Sequence, residues 1–162
     1  MAEAGNAGQA ADGQPNLGVV AQYVKDFSFE NPGAPASLRA RTSQPNINIS
    51  IGVQSNAVSA NEHEVELRID ARAVDGQAVL FAAELVYAGV FRFTNIPPEN
   101  ARPVALIECP RLLFPFARQI IAEATRNGGF PPLLIDPVDF VAMYRQQLEN
   151  AAAAAARQAA PN

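Results

Sequence analysis

The sequence predicts an α+β fold: a four-stranded antiparallel β-sheet followed by a short helical segment and two α-helices. Through most of residues 23–93, apolar side chains recur at every second position, which is strand periodicity. Turn chemistry and short loops separate those stretches, which favours antiparallel neighbours. After residue 98 the apolar period lengthens, and prolines stand where helices start. A chain of 162 residues, 49% hydrophobic and 17% charged, suits one globular domain with a core of its own.

The first strand is "YVKDFSFE", residues 23–30. Simple alternation puts Tyr23, Lys25, Phe27 and Phe29 on one face and Val24, Asp26, Ser28 and Glu30 on the other. "NPGAP" at 31–35 is turn chemistry. "INISIGV" sets Ile47, Ile49, Ile51 and Val53 on one face, and "QSNAVSAN" at 54–61 reads as a loop. "EHEVELRIDARAV" alternates most regularly, with Val65, Leu67, Ile69, Ala71 and Ala73 inside. Asp75-Gly76 supplies a hairpin turn. The partner strand, 78–93, puts Phe81, Ala83, Leu85, Tyr87, Gly89, Phe91 and Phe93 on one face; Glu84 lies on the other. An antiparallel sheet commonly has one covered and one wet face, so the odd-numbered residues need a cover.

Two helices supply it. "PRLLFPFARQIIAEATRNGG" opens with Pro110 at a first helical position and stops at Asn127-Gly128-Gly129. Its apolar residues cover more than half the circumference, more than one small sheet needs. Pro115 should kink it or delay its regular start. "PPENARPVALIEC" before it reads as a short irregular helix. For the last helix the sequence offers Asp136 as cap and Pro137 as first residue, with Phe140, Val141, Tyr144 and Leu148 as a narrow stripe.

Residues 1–16 hold little that could pack and are expected to be a disordered tail. Residues 17–150 form the domain. Residues 151–162 are nearly pure alanine and are expected to prolong the last helix and fray as a flexible tail. The start of the chain lacks a basic, apolar secretion signal, and no stretch reaches the roughly 18 apolar residues of a membrane span. A cytoplasmic protein without membrane insertion is expected. A net charge of −4 argues against nucleic acid as a partner. Cys109 precedes a helix start, where a thiolate is stabilised, but His63 offers no third partner for a nucleophilic pair. Metal-ligand spacing and phosphate-binding glycine loops are missing too, so catalytic residues, metals, cofactors and ATP use are not expected.

Two apolar surfaces remain in surplus. The wide helix face suggests self-association in a closed symmetric oligomer. The other is "GGFPPLLIDP", residues 128–137, where Phe130, Leu133, Leu134 and Ile135 sit on a segment that cannot be helix or regular strand. Such a loop beside a strand edge would make a groove for extended polypeptide, with little demand for one sequence. A small apolar ligand between sheet and helices is the alternative, and docking of the loop into an ordinary core is a third.

"YVKDFSFENPGAP" and "CPRLLFPFARQIIAEATRNGGFPPLLIDPVDF" closely resemble the two signature regions of the SecB family of bacterial export chaperones. The resemblance spans roughly residues 17–150. It implies a homotetramer, a dimer of dimers with helices packed between subunits, that holds unfolded preproteins and delivers them to the SecA translocation ATPase. It further implies SecA docking at Asp26, Glu30 and Glu84, and peptide binding at Ile47, Ile49, Ile51, Phe130, Leu133, Leu134 and Phe140. Subunit packing would involve Ala83, Leu85 and Tyr87, with Leu113, Phe116 and Ile120 on the wide helix face. Two places depart from the family pattern: Ser43 stands where many members carry an aromatic residue, and the tail has only Arg157 as a charge.

Overall fold

The computed structural model describes residues 13–159. Most of residues 1–16, and residues 160–162, lie outside the described part. The strands are β1 (Asn16–Glu30), β2 (Asn46–Ala57), β3 (Glu62–Asp75) and β4 (Ala78–Thr94). They form one antiparallel sheet in the order β1-β4-β3-β2. The chain thus leaves β1 at one edge, crosses over through residues 31–45, and re-enters as β2 at the far edge. A one-turn 3-10 helix, Ala36–Leu38, lies within that crossover.

The two central strands behave as their alternation dictates. Val65, Leu67, Ile69, Ala71 and Ala73 are buried, as are Ala83, Leu85, Tyr87, Phe91 and Phe93. Gly76 takes a positive φ of 60° at the β3–β4 turn, a conformation that glycine adopts without steric cost. The 54–61 loop is shorter than expected: strand pairing runs on to Ala57↔His63.

β1 departs from simple alternation. It starts at Asn16, and its register with β4 slips between Val19 and Ala21 and again between Val24 and Asp26. Each slip is a β-bulge, one extra residue on β1 that reverses the phase of the strand. Val24 therefore pairs with Tyr87 on the helix side, whereas Asp26 pairs with Val86 on the outer side. Tyr23 and Lys25 point outward, away from Phe27 and Phe29, and their expected common face is corrected. Lys25 gives the physical reason. Its ammonium reaches across the outer face to Glu64 and Glu66 of β3, and the Tyr23 hydroxyl donates to Glu64 at 2.5 Å.

The helical part is one continuous run from Pro98 to Asn127. α1 (Pro98–Pro103) passes into a π turn (Val104–Glu108) and then α2 (Cys109–Asn127). Within it the Cys109 N–H donates to the Val104 carbonyl, an i→i−5 bond. Pro103, Pro110 and Pro115 each lack an N–H, so no regular α ladder can run through all of them. Pro110 accordingly sits inside the run rather than opening it. α2 ends in a Schellman motif: Phe130 N–H donates to Thr125 C=O, and Gly129 N–H to Arg126 C=O. Gly129 has φ 90°, which favours glycine.

α3 (Phe140–Ala159) starts later than the sequence suggests. Asp139, not Asp136, caps it: its Oδ1 accepts the Ala142 N–H at 3.0 Å. Residues 130–139 stay non-helical, because Arg118 Nε donates to the Ile135 carbonyl and buries Ile135 against the core. The alanine run continues α3 to Ala159.

Candidate functional site

α2 carries two parallel apolar rows. Leu113, Ala117, Ile121 and Thr125 are buried against the sheet. Leu112, Phe116 and Ile120 form the second row; Leu112 and Phe116 are exposed and Ile120 is half-buried. The Phe116 ring stacks with Tyr87, centroids 6.2 Å apart, and Tyr87 is the register partner of exposed Val24. Of the residues expected at a subunit interface, only Phe116 and Ile120 present apolar surface. Ala83, Leu85 and Leu113 are closed inside this chain and Tyr87 is nearly so, because α2 packs straight onto β4.

Beyond the end of α2 lies a groove of about 520 Å3. Its floor comes from Ile47 of β2 and from Leu80 and Phe81 at the start of β4. The register shift between Ala73 and Val74 leaves Leu80 without a partner on β3, and both Leu80 and Phe81 are buried. One wall is the crossover, with Leu38, Arg39, Arg41, Gln44 and Pro45; the other is the 129–133 loop. Phe130 packs on Phe81 with ring centroids 5.1 Å apart, and Phe81 packs on Phe29 at 5.9 Å.

The loop wall is firmly held. The Thr125 hydroxyl accepts the Leu133 N–H at 2.8 Å, and Asn31 Nδ2 donates to the Gly128 carbonyl at 3.2 Å. Gly128 and Gly129 permit close approach: a Cβ on Gly128 would meet the Phe29 ring at 2.4 Å, and one on Gly129 would meet Leu38 at 2.8 Å. Gly128 thus lets the end of α2 touch β1, and Gly129 lets the loop touch the crossover, contacts that a side chain would prevent.

The expected peptide-binding residues divide. Ile47, Phe130 and Leu133 line this groove. Ile49 continues the exposed strip along β2, at 40% exposure beside 42% for Ile47, and Leu134 projects at 60%. Ile51 is half-buried against the core and lines a second cleft, about 400 Å3, between β2 and α3. Phe140 is not brought to the groove. It is 2% exposed and meets Phe114 edge-on inside the core, because the late start of α3 turns its first residue inward.

The opposite face of the sheet carries the three expected acids. Glu84 pairs with Ser28 of β1, so Asp26 and Glu30 are its diagonal neighbours, about 7–8 Å away by strand geometry. All three are exposed, and none forms an ion pair among the described residues. Asp70 of β3 stands opposite Glu84, with the exposed Arg68 and Arg72 as its neighbours on the same face. Higher on the same face, burial and the bond to Glu64 push the Tyr23 hydroxyl up to about 12. The hydrogen bonds from Tyr23 and then Lys25 hold the Glu64 carboxyl below its usual range.

Cys109 and His63 do not meet. Cys109 is fully buried, and burial, with the Glu108 charge, pushes its thiol up to about 12. His63 stacks on Phe93 with centroids 4.6 Å apart. Among the described residues, no group of three or more His, Cys, Asp or Glu is placed to hold a metal ion. No described helix is long and apolar enough to cross a membrane.

Alternation alone did not find Lys25, Thr125, Arg118 or the crossover residues Leu38, Arg39 and Arg41. Only Lys25 left a signal, as a lysine that strict alternation would have placed on an apolar face.

Fold and site together define a class: an antiparallel-sheet protein with a broken helix over one face and a preformed, solvent-open apolar groove at the end of that layer. Comparison with known proteins narrows it. The family model described as preprotein translocase subunit SecB matches residues 10–151. The protein-export protein SecB of Rhodopseudomonas palustris strain TIE-1 is 59% identical over 147 residues, covering 91% of this chain and 94% of the relative. That of Bradyrhizobium sp. strain BTAi1 is 53% identical over 162 residues, the whole of both chains. Among solved structures, a SecB-like chaperone from Mycobacterium tuberculosis, in complex with a peptide from an antitoxin, has a similar fold. Its TM-score is 0.62 at 15% identity, over 75% of this chain and 90% of that one. The chain belongs to the SecB family.

Proposed function

We propose that this protein is an ATP-independent holdase chaperone. It binds unfolded preproteins in its apolar grooves, keeps them competent for translocation, and delivers them to the SecA ATPase. It works in the cytoplasm as a homotetramer and is not an enzyme. The observation that carries this reading is the groove itself: Ile47, Ile49 and Leu134 stay uncovered beside a wall pinned by Thr125 and Asn31. The protein-export names of its relatives support the same reading.

Magnitudes shape the mechanism. Fully covering one large apolar side chain contributes about 1.5–3 kcal/mol, and these residues are already partly covered. Ordering each bound backbone residue costs about 1–2 kcal/mol. One groove therefore binds weakly and releases fast. Several grooves acting on one long client raise the effective concentration and hold it. Folded proteins conceal their apolar segments, so selection falls on the non-native state. The row Leu112, Phe116 and Ile120 would join the copies, and Asp26, Glu30 and Glu84 would dock SecA on the face away from the client.

Light scattering tests the assembly, and dilution of a denatured enzyme into the protein without nucleotide tests the holding. The reading expects a tetramer mass and slowed refolding. A monomer without effect on refolding would leave it without support.

A further inference from the structure

We propose that Asp70 of β3 and Glu84 of β4 together take one cationic side chain of the partner that docks on the outer face of the sheet. The proposal rests on that face being the SecA site and adds Asp70 to the residues that build it.

The two carboxylates stand directly opposite each other across β3 and β4. Opposed residues of an antiparallel pair have Cβ atoms about 4.5–5.5 Å apart, and like charges so placed are destabilising. Asp70 carries a second cost. Its Oδ1 is buried and has no hydrogen-bond partner among the described residues. A buried acceptor left unpaired is unfavourable, and most so when it is charged. Both carboxylates line a pocket of about 330 Å3, whose other polar residues are Asn48, Ser50 and Arg72 of the same face. Among the described residues, no group of three or more His, Cys, Asp or Glu is placed to hold a metal ion, which favours a side chain as the occupant.

The positive charges already on this face do not fill the role. Arg68 and Arg72 flank Asp70 along β3, are exposed, and form no ion pair among the described residues. Lys25 is engaged by Glu64 and Glu66. Asp26 and Glu30 lie diagonal to Glu84 on β1, whereas the arginines stand on β3. An incoming cation is therefore drawn in from the β1 side, over Glu84, and held off on the β3 side by like charge. An ammonium or guanidinium seated there makes charge-assisted hydrogen bonds to both carboxylates and satisfies Asp70 Oδ1. The pair is unfavourable in the free protein and relieved on docking, a local conflict of the kind found at functional sites.

Calorimetry of the full chain with SecA at low salt tests this on Asp70→Asn, whose amide can donate to Glu84. The variant should bind SecA about threefold to tenfold more weakly. It should nevertheless melt at an equal or higher temperature, because a like-charge pair has gone. Glu84→Gln should also weaken binding. The double variant should lose less than the two single losses multiplied together, because the two groups share one cation. Undiminished binding by Asp70→Asn, with weakening by Glu84→Gln, overturns the proposal and leaves the docking face in place. Losses that multiply in full overturn it by separating the two carboxylates. A lower melting temperature for Asp70→Asn overturns it by making Asp70 a structural residue. Undiminished binding by both single variants overturns the docking face as well.

Discussion

Thr125 on α2 and Leu133 in the loop beyond it are joined by one hydrogen bond, from the Leu133 N–H to Thr125 Oγ1 at 2.8 Å. Thr125 is fully buried, and its hydroxyl also lies 3.0 Å from the Ile121 and Ala122 carbonyls. Pro131 and Pro132 have no N–H, so Leu133 is the first residue after Phe130 that can tie the loop down in this way. Thr125→Val keeps the shape and strands a buried donor, which costs about 1–3 kcal/mol. Client binding should fall together with the melting temperature. Thr125→Ser keeps the hydroxyl and should recover most of the binding. Equal loss in both variants would show that the methyl group, not the hydrogen bond, sets the wall.

Glu84→Lys places a positive charge between Asp26 and Glu30. Binding to SecA should weaken by about tenfold or more, since like-charge contacts across an interface are costly. Client binding should be unchanged, because Glu84 faces away from the groove. Calorimetry with SecA and with a denatured client, at low and raised salt, reads both. An affinity for SecA that ignores salt would contradict docking through exposed acids.

The Tyr23–Glu64–Lys25 cluster predicts a pH dependence of stability. Glu64 is held below its ordinary 4.5, so it contributes stability above that pH and loses it as pH falls through its lowered value. Tyr23→Phe removes the largest cause. The stability gap between this variant and the unaltered protein should shrink as denaturation curves are taken from pH 6 to well below 4.5. A gap that widens on acidification would give the shift the wrong sign.

Cys109 should not react with a thiol reagent near neutral pH while the protein is folded. Its thiol is buried and pushed up to about 12, so almost no thiolate exists there. One equivalent should react after denaturation, when the ordinary pKa returns. Rapid labelling of the folded protein would contradict the closed core over the π turn.

The parts legible in the sequence were those where one periodicity meets one dry face. β3 and β4 are central strands, and their alternation fixed Glu84 outside and Leu85 inside. β1 is an edge strand, where bulges are tolerated, and its slip at Lys25 left only a misplaced charge as a clue. The row Leu112, Phe116 and Ile120 was visible as excess, but which apolar residues α2 turned inward needed the helix's orientation on β4. Asp136-Pro137 imitates a helix start. The bond from Arg118 to Ile135 overrides it, and no local pattern encodes that contact. Arg39 and Arg41 lie in a crossover without periodicity, so their meeting with Phe130 came only from the fold.

The most direct test of the account is the capture of a denatured client by an Ile47→Ser/Ile49→Ser variant. Both side chains are already about two-fifths exposed, so the fold should lose little. Refolding of the client should proceed nearly as fast with the variant as in buffer alone, at an unchanged assembly mass, whereas the unaltered protein slows it severalfold. A variant that slows refolding as strongly as the unaltered protein would show that clients bind elsewhere.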